Sequence, residues 1–455
     1  MRVAIIGAGW AGMAAAVRVT ESGHHATVFE ASRSMGGRAR GTSETLPDGS
    51  QAILDNGQHI LIGAYTETLR LMRLVGVNTD EALLRLPLTL KFPDGQGLEF
   101  GRQRAPLDAL DGILGAVGWG WRDKTALLLA AARWRLRGFT CEPSHTVAQV
   151  CKNLPARLMA ELIEPLCVSA LNTPAGQASG QVFLRVMRDA LFGADGHSDM
   201  LLPRVDLSNL FPVAAERWMA QNSAQAGGGR VSQGHRIHTV YLDKPTGGWI
   251  VELDIYDAVI LATSSNEAVR ALSNIKSRAT IEIADAVSQW AGTATALRHE
   301  AITTVYAWGE GVALARPMLA LHSNAGKSAP AQFVFDRGQL GGPPGLLAFV
   351  VSVSTGERDE LLTQVLQQAR DQLGLTLQSV QTIREKYATF ACTPALKRPP
   401  TRICAGLFAC GDYVEGPYPA TLEGAVRSGV AAADAATKNA RRPRPDPDPW
   451  ASYPD

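Results

Sequence analysis

The sequence is poor in the features that mark several protein classes. It has only six cysteines among 455 residues, none in a C-x-x-C pair or at a zinc-binding spacing from histidine, so we expect reduced thiols and no metal site. Its formal net charge of +1 gives no reason to expect a nucleic-acid partner. No apolar run reaches the ~18 to 20 residues that a membrane-spanning helix needs. The remaining composition, 46% hydrophobic and 19% charged, is that of a globular chain of two or three domains.

The N-terminal segment carries a dinucleotide-binding pattern. A buried-strand run over residues 3–6 leads directly into the G-x-G-x-x-G of residues 7–12, and an alanine-rich helix follows over 13–22. The glycines allow a tight turn, the close approach of a diphosphate and the packing of the helix on the strand. Glu30 ends the second strand, where its carboxylate can accept both hydroxyls of an adenosine ribose. The same charge would repel a 2′-phosphate, which disfavours NADP.

A second glycine pair narrows the choice of cofactor. Gly36, Gly37 and Arg38 come just after the ribose acid, and this arrangement resembles the extension found in glutathione-reductase type FAD-binding folds. In those folds the pair and the arginine reach the FAD diphosphate, whereas NAD dehydrogenases lack the extension. The resemblance therefore implies FAD.

The first 20 residues also have superficial features of a secretory signal, because Met1 and Arg2 precede an apolar stretch with small residues. Cleavage would remove the glycine loop. The three glycines within the apolar stretch and the acid at Glu30 favour nucleotide binding instead. We therefore expect the mature protein to begin near Met1 and to be cytoplasmic.

A late segment carries a second pattern of this kind. An apolar run over 407–410 ends in Gly411 and Asp412, and a helix rich in small residues begins near Thr421. In FAD proteins of the type named above, the aspartate binds ribityl or diphosphate oxygens and the helix N-terminus points at the flavin pyrimidine, where its dipole favours the charge of the reduced ring. Taken alone, a Gly-Asp pair before a helix is also typical of an ordinary turn and N-cap.

Two longer motifs resemble the phytoene-desaturase and flavin amine-oxidase superfamily. D-N-G-Q-H-I-L-I-G-A-Y at 55–65 and G-D-Y-V-E-G-P-Y-P-A-T-L-E-G-A at 411–425 are similar to its squalene-associated branch, and the similarity spans the chain except its tail. It implies an α/β fold, with a glutathione-reductase type FAD-binding Rossmann-like domain interleaved with a mixed α+β substrate domain. The residues expected to bind the cofactor are Gly7, Gly9, Trp10, Ala11, Gly12, Glu30, Ala31, Gly36, Gly37, Arg38, Ala39, Gln58, His59, Ile237, Gly411, Asp412, Thr421, Leu422, Glu423 and Ala425.

The resemblance also implies a reaction, the reductive dehydroxylation of hydroxysqualene to squalene in hopanoid precursor synthesis. Loss of the allylic hydroxyl as water gives a delocalised cation, which a hydride from reduced flavin would quench, so FAD would act as FADH2 and an external electron donor would restore it. The long-chain isoprenoid substrate needs a dry apolar tunnel and could be passed on by the enzymes that make hydroxysqualene.

The proton for such a reaction must come from a group near the flavin. The candidates on the two long motifs are His59, Asp55, Tyr413, Glu415 and Tyr418. Asp55 could equally belong to a structural turn, and His59 could be a hydrogen-bonded packing residue.

Two other classes of function stay open. One is an oxidative flavoenzyme, either a carotenoid or phytoene desaturase, which has a related G-x-H-x-x-x-G-A-Y stretch, or an amine oxidase, for which Tyr413 and Tyr418 could form aromatic walls. The other is a flavin-free isoprenoid carrier of the same fold. A carrier would not need Asp412 or the helix start at 423–425, which argues against it.

The organisation of the chain indicates two interleaved domains. We expect the FAD-binding domain at 1–80, 229–285 and 400–440, and the substrate domain at 81–228 and 286–399, the first part of which has mostly helical patterning. The glycine cluster at 227–229 marks a boundary, and the strand pattern that follows predicts a β-meander from Arg230 to Leu253. Residues 441–455 are rich in proline and charge, so we expect a disordered tail.

One segment has features of a membrane-surface helix. From Ile113 to Phe139 the sequence combines three tryptophans, an apolar block and several cations. This pattern predicts peripheral association with the inner face of a membrane. The alternative is a helix of the second domain with arginines on its wet side. The tryptophans are Trp119, Trp121 and Trp134, and the cations are Arg122, Lys124, Arg133, Arg135 and Arg137.

Overall fold

The computed structural model describes residues 1–101, 103–191, 193–226, 229–243, 245–273, 275, 280–323 and 328–438, so Gly227, Gly228 and the predicted tail at 441–455 lie outside the described residues. Strands and helices are numbered along the chain. The strands are β1 (Arg2–Ile6), β2 (His25–Phe29), β3 (Gly41–Thr45), β4 (Gln51–Asp55), β5 (Leu61–Ile62), β6 (Leu83–Leu86), β7 (Thr89–Lys91), β8 (Gly97–Glu99), β9 (Met200–Pro203), β10 (Arg230–Ser232), β11 (Val240–Leu242), β12 (Trp249–Val251), β13 (Asp254–Tyr256), β14 (Ala258–Leu261), β15 (His299–Trp308), β16 (Met318–Ala320), β17 (Phe333–Asp336), β18 (Leu346–Val351), β19 (Gln378–Phe390), β20 (Arg402–Cys404) and β21 (Leu407–Ala409).

The helices are α1 (Trp10–Glu21), α2 (Thr66–Leu74), α3 (Thr79–Ala82), α4 (Leu107–Gly115), α5 (Trp121–Leu136), α6 (Val147–Val150), α7 (Ala156–Leu158), α8 (Glu164–Leu171), α9 (Gly180–Leu191), α10 (Leu207–Leu210), α11 (Pro212–Ala226), α12 (Ser265–Ser273), α13 (Ile281–Thr295), α14 (Arg358–Leu373) and α15 (Leu422–Lys438). A π-helical turn, Met159–Ile163, joins α7 to α8. A 3-10 turn, Gly338–Leu340, follows β17.

The N-terminal strand lies inside a six-stranded sheet of order β10-β2-β1-β14-β21-β20, parallel except for β20. All four residues of β14 are buried, as are four of the five in β1, because helices cover both faces of a parallel sheet. α15 packs closely against α1: a Cβ on Gly429 would lie 2.1 Å from the carbonyl oxygen of Ala11. The predicted Rossmann-like α/β fold is confirmed.

The strands of this sheet come from three separated stretches of the chain, while the residue bounds expected for each domain stay a prediction. One detail of the predicted meander is wrong. β10 does not join it but pairs with β2 in the main sheet, because the backbone of 230–232 completes the open edge of β2. The meander consists of β11, β12 and β13.

The second sheet is antiparallel, of order β16-β17-β18-β15-β19, and α14 packs on one of its faces. The apolar runs at 303–308, 332–335 and 346–353 predict strands, and β15, β17 and β18 lie there. β19 was not predicted from the sequence. Its burial does not alternate cleanly, because much of its length stays in contact with solvent, so the period-2 pattern is weak.

Residues 107–226, which lie between β8 and β10 in the sequence, are mostly helical, as expected, and form α4 to α11. α5 forms much of the segment predicted to lie on a membrane surface, but two of the three tryptophans in that pattern are buried. Trp119 and Trp134 are each only 6% exposed, since Trp119 Nε1 donates to Glu161 Oε2 at 2.9 Å and Trp134 meets Phe183 edge to face. Of the three tryptophans, Trp121 alone reaches solvent, at 72% exposure. Within the described ranges, no helix is long and apolar enough to cross a bilayer.

Candidate active site

The first glycine loop is shaped by close approach of backbone to backbone. Gly7 has φ +113°, and a Cβ there would lie 2.6 Å from the carbonyl oxygen of Ala262. A Cβ on Gly12 would lie 1.9 Å from the Gly7 oxygen. The loop leads straight into α1, whose N-cap, Gly9, has no side chain to cover the first N–H groups. Such a helix N-terminus attracts a phosphate.

Glu30 lies at the mouth of this loop, as predicted. Its Oε2 accepts from the Ala8 N–H at 2.7 Å, and its Oε1 accepts from the Ser32 N–H at 2.8 Å. The neighbouring segment runs alongside, because the His235 N–H donates to the Glu30 carbonyl at 2.7 Å. Ile237 follows two residues later and is buried.

The second glycine pair packs onto the first loop. The Gly36 N–H donates to the Ala8 carbonyl at 3.0 Å, and Trp10 Nε1 donates to the Ala39 carbonyl at 3.2 Å. A Cβ on Gly37 would lie 3.2 Å from Gly9 Cα. Gly9 and Gly37 therefore lie side by side and form a surface of bare backbone. A diphosphate could approach this surface closely because no side chain covers it. Ala31, by contrast, is exposed at the rim.

Arg38 joins the early motifs to the late one. Its guanidinium pairs with Asp412 Oδ1 and donates to the carbonyls of Tyr387 and Ala388. Asp412 is buried at the end of β21, and the Gly411 N–H donates to Ser428 Oγ at 2.8 Å, which fixes that corner against α15. Residues far apart in sequence therefore meet at one place, where a diphosphate would find both a cation and backbone N–H groups.

α15 starts as the sequence predicts. Thr421 Oγ1 accepts from the Gly424 N–H at 2.9 Å, and a Cβ on Gly424 would lie 1.8 Å from the Tyr418 oxygen. Leu422 and Ala425 lie in this first turn.

The structure corrects the role expected for Glu423. Its carboxylate is fully buried and accepts from the N–H groups of Glu67 and Thr68, at 3.1 and 2.9 Å, and from the Thr68 hydroxyl at 2.7 Å. It also pairs with Arg427. Glu423 therefore holds the N-terminus of α2 against α15 rather than facing a cofactor.

Asp55 is the most buried of the candidate acids, at 1% exposure. Oδ1 accepts from the Leu207 N–H at 2.9 Å, while Oδ2 has no hydrogen bond. Burial raises the pKa of Asp55 to about 6, although the nearby Arg337 guanidinium opposes that rise. A carboxyl of this kind is about half protonated near pH 6, where an ordinary aspartate is ionised.

His59 lies two residues beyond a turn at Gly57. Its Nδ1 lies 2.7 Å from the Gly57 carbonyl oxygen, so this nitrogen carries the hydrogen and donates. Burial lowers the pKa of His59. The ring is therefore neutral near pH 7, with Nε2 left as an acceptor.

The three candidates on the late motif differ in surroundings. The Tyr418 hydroxyl donates to Asp189 Oδ2 at 3.0 Å, and its ring lies under Arg427. Tyr413 is buried with its hydroxyl unpaired and its ring against Trp290, and burial raises its pKa above the ordinary value. Glu415 is exposed to solvent. No group of histidine, cysteine, aspartate and glutamate within the described ranges could hold a metal ion.

Two residues of the second sheet complete the surroundings of Asp55. Arg337 is 4% exposed, and its Nη1 donates to Gln58 Oε1 at 3.3 Å. The Tyr306 hydroxyl donates to the Asp55 main-chain carbonyl at 2.9 Å. We call Asp55, Gln58, Tyr306 and Arg337 the Asp55 cluster. Arg337 was not predicted from the sequence, although a signal existed: an Asp-Arg pair directly at the end of an apolar run.

Comparison with known proteins places this geometry in a family. Residues 5–74 match the NAD(P)-binding Rossmann-like domain, and residues 212–437 match the flavin containing amine oxidoreductases. The chain contains a flavin amine oxidoreductase domain over residues 212–437. The resemblance found in the sequence is confirmed, and the site described above fits a flavin dinucleotide through its glycine strip, Glu30, Arg38 and Asp412.

Two relatives each cover 95% of the chain. A hydroxysqualene dehydroxylase of Rhodopseudomonas palustris is 27% identical over 95% of this chain and 97% of its own length, and one of Sinorhizobium fredii is 26% identical over 95% and 98%. A zeta-carotene desaturase of Synechocystis is 40% identical, but over only 18% of this chain and 16% of its own length.

Solved structures support the fold. An oxidoreductase from Methanosarcina mazei superposes with a TM-score of 0.66 at 17% identity, covering 95% of this chain and 99% of that one. Reduced UDP-galactopyranose mutase superposes with a TM-score of 0.65 at 14% identity, covering 97% and 96%.

Proposed function

We propose that this protein is an FAD-dependent hydroxysqualene dehydroxylase, which replaces the allylic hydroxyl of hydroxysqualene by hydrogen and so makes squalene. The observation that carries the proposal is the full-length similarity to two proteins named for this activity, at 95% coverage of the chain. The surroundings of Asp55 add chemical support, because the reaction needs a proton source in a site that excludes water.

The side chains divide the binding task. Glu30 would accept the ribose hydroxyls, in place of the two backbone N–H groups it holds in this structure. Arg38 would turn to the diphosphate with the backbone of Gly9 and Gly37, and Asp412 would accept hydrogen bonds from ribityl hydroxyls. The first turn of α15 would face the ring system, where its dipole favours negative charge. When bound and reduced, the flavin supplies the hydride.

The proposal implies partners. Each turnover consumes two electrons, so an external donor must reduce the cofactor again. A long-chain isoprenoid is almost insoluble in water, which favours transfer from the enzymes that make hydroxysqualene or from a membrane. We propose that the enzyme works on the cytoplasmic side of the inner membrane.

α5 offers a surface for that membrane. Five exposed residues recur on one side of the helix, since each step of three or four residues turns it by close to a full circle at about 100° per residue. The buried side, with Leu127 and Trp134, lies opposite. We call the five residues the apolar stripe, and three of them are large: Trp121, Leu129 and Leu136 are 72, 57 and 87% exposed. The apolar stripe consists of Trp121, Thr125, Leu129, Ala132 and Leu136.

Cations border the apolar stripe on both sides. Arg122 and Arg133 follow it along one edge, and Lys124 and Arg135 along the other. The only acid in α5, Asp123, accepts from the Gly120 N–H at the helix start. An apolar face between cations suits the interface of a bilayer with anionic lipids.

The direct test of the proposed reaction is anaerobic turnover. The purified protein is reduced with dithionite, mixed with hydroxysqualene and extracted for gas chromatography. We expect squalene in an amount equal to the bound flavin. Recovery of unchanged hydroxysqualene by a fully reduced, flavin-loaded protein would refute the proposal.

A carotenoid or phytoene desaturase is the second candidate, favoured by the 40% identity to a zeta-carotene desaturase over 80 residues. In a desaturation the oxidised protein would be the active form, and the product would lack two hydrogens. Phytoene offered to the oxidised protein under argon distinguishes the two, because flavin bleaching would then accompany turnover.

A further inference from the structure

We propose that Asp55 is the proton donor for the departing hydroxyl, and that Arg337, which lies outside both long motifs, is the residue that positions it and sets its protonation. The inference rests on the proposed function. It assigns a pair of free polar atoms, Asp55 Oδ2 and Gln58 Nε2, to the oxygen of the substrate.

The carboxyl of Asp55 is held firmly but incompletely. Oδ1 accepts from the Leu207 N–H at 2.9 Å, and the residue's own carbonyl accepts from the Tyr306 hydroxyl at 2.9 Å. Oδ2 is buried without a hydrogen bond. A buried polar atom without a partner is uncommon in folded proteins and needs an explanation, of which an absent ligand is one. The free oxygen has a fixed direction in which to give its proton.

Arg337 lies beside that oxygen without binding it. Its Nη2 is 3.9 Å from Asp55 Oδ2, outside hydrogen-bond distance, because Nη1 donates to Gln58 Oε1 at 3.3 Å. Direct contact would keep the carboxyl ionised. At the observed distance the guanidinium only reduces the rise in the pKa of Asp55 that burial causes.

The charges around Asp55 agree with this role. Burial raises the pKa of its carboxyl to about 6, Arg337 lowers it, and Asp206 raises it slightly. The Leu207 N–H also lowers it, while the Tyr306 phenol is neutral because burial raises its pKa. An acid with a pKa near the working pH transfers a proton most effectively.

Gln58 supplies the second contact. Its Nε2 is buried and unpartnered, while its Oε1 is fixed by Arg337. A protonated Asp55 Oδ2 and the Gln58 amide are both donors, which suits an oxygen with two lone pairs. The step balances: the proton passes from Asp55 to the hydroxyl oxygen, the C–O bond breaks with its electron pair leaving in water, and the allylic cation takes up the hydride of the proposed reaction.

The other candidate donors fit less well. His59 gives its hydrogen to the Gly57 carbonyl and Tyr418 gives its hydroxyl hydrogen to Asp189. Glu415 is exposed to solvent, so it does not lie in a site that excludes water. Tyr413 has a free hydroxyl, but its pKa is raised above that of an ordinary phenol, so it releases its proton far less readily than Asp55.

The first test is the pH dependence of single-turnover squalene formation. In the parent protein we expect the rate to be level below about pH 6 and to fall up to tenfold per pH unit above it, because only the protonated Asp55 donates. Asp55→Asn should cost about 10² to 10⁴-fold and abolish the falling limb. Arg337→Met should shift that limb to higher pH, since removal of the cation raises the pKa of Asp55. Tyr413→Phe should keep the limb in place. A limb unchanged by Arg337→Met, or an Asp55→Asn protein as fast as the parent, would overturn the inference.

The second test needs no turnover and separates this inference from the proposed function. A carboxyl whose pKa is raised in the folded state stabilises the protein below its unfolded pKa of ~3.9, and that contribution is lost as pH rises through the folded value of about 6. The melting temperature of Asp55→Asn relative to the parent should therefore increase between pH 4 and pH 7. A constant difference would refute the proton-holding role. If the difference changes as expected while the parent forms no squalene, the proposed function fails and the titration of Asp55 stands. If Asp55→Asn does not fold, the inference is tested by the position of the falling limb in the pH-rate profile of Arg337→Met.

Discussion

The glycine loops of the nucleotide-binding sheet and the Asp55 cluster satisfy their polar groups in different ways. In the loops, Glu30 accepts two backbone N–H groups, and the Ala8 carbonyl accepts from Gly36. In the Asp55 cluster, Asp55 Oδ2 and Gln58 Nε2 have no partner. The loops bind through backbone placed by local sequence, so Glu30 and the Ala8 carbonyl keep these partners without a ligand. The cluster is assembled from side chains 279 residues apart and keeps two atoms free.

The largest effect is expected when a methyl group is added to the first glycine loop. Gly12→Ala would place Cβ 1.9 Å from the Gly7 carbonyl oxygen, both on backbone that α1 and β1 hold in place. We expect a loss of about 3 kcal/mol or more in unfolding free energy, with loss of flavin. Thermal melts and flavin absorbance measure both.

Gly292→Ala, in α13, is the matched control, because a Cβ there meets nothing within 4 Å. It should be neutral or slightly stabilising, since alanine favours helix more than glycine does. If the Gly12→Ala protein had the same melting temperature as Gly292→Ala and kept its flavin, the loop would be able to accommodate a side chain, which would contradict this expectation.

A smaller effect is expected from the ribose acid. Glu30→Ala removes two charge-assisted hydrogen bonds of ~1.5 to 3 kcal/mol each, so flavin affinity should fall about 10² to 10⁴-fold. Equilibrium dialysis of the purified variant measures this. The exposed Glu310→Ala is the control, and full flavin retention by Glu30→Ala would contradict the assignment of the ribose site.

The difference between the two regions also explains what the sequence could predict. Glycine spacing, the acid at Glu30 and the Gly411-Asp412 corner are local patterns, and each lies where its pattern predicts. Glu423 was misassigned because its partners, on α2, are 355 residues away. Arg337 was missed for the same reason. β19 was missed because its pairing with β15, not its own apolar pattern, makes it a strand.

The smallest expected effect concerns the apolar stripe. Of the three tryptophans that the sequence pattern placed together, only Trp121 lies in this stripe. Trp121→Ser with Leu129→Ser should reduce binding to vesicles of anionic lipid by about tenfold or more, since each exposed side chain would bury at the interface part of an apolar area worth ~1.5 to 3 kcal/mol when fully buried. Added salt should weaken parent binding, as each surface cation contributes ~1 kcal/mol.

The control for the apolar stripe is Leu253→Ser, a leucine that is 99% exposed on another part of the molecule. It should bind vesicles like the parent. If parent, double variant and control all remain in the supernatant at low salt, the stripe does not bind membrane.

The most direct test of the central claim, reductive dehydroxylation, follows one hydrogen. The flavin-loaded protein is reduced in D2O, where the exchangeable hydrogen on flavin N5 becomes deuterium, and is mixed anaerobically with hydroxysqualene; a parallel sample uses H2O. We expect squalene with one deuterium at the carbon that lost oxygen, and none in the H2O sample. Squalene without deuterium at that carbon, or a product two hydrogens poorer than the substrate, would contradict it.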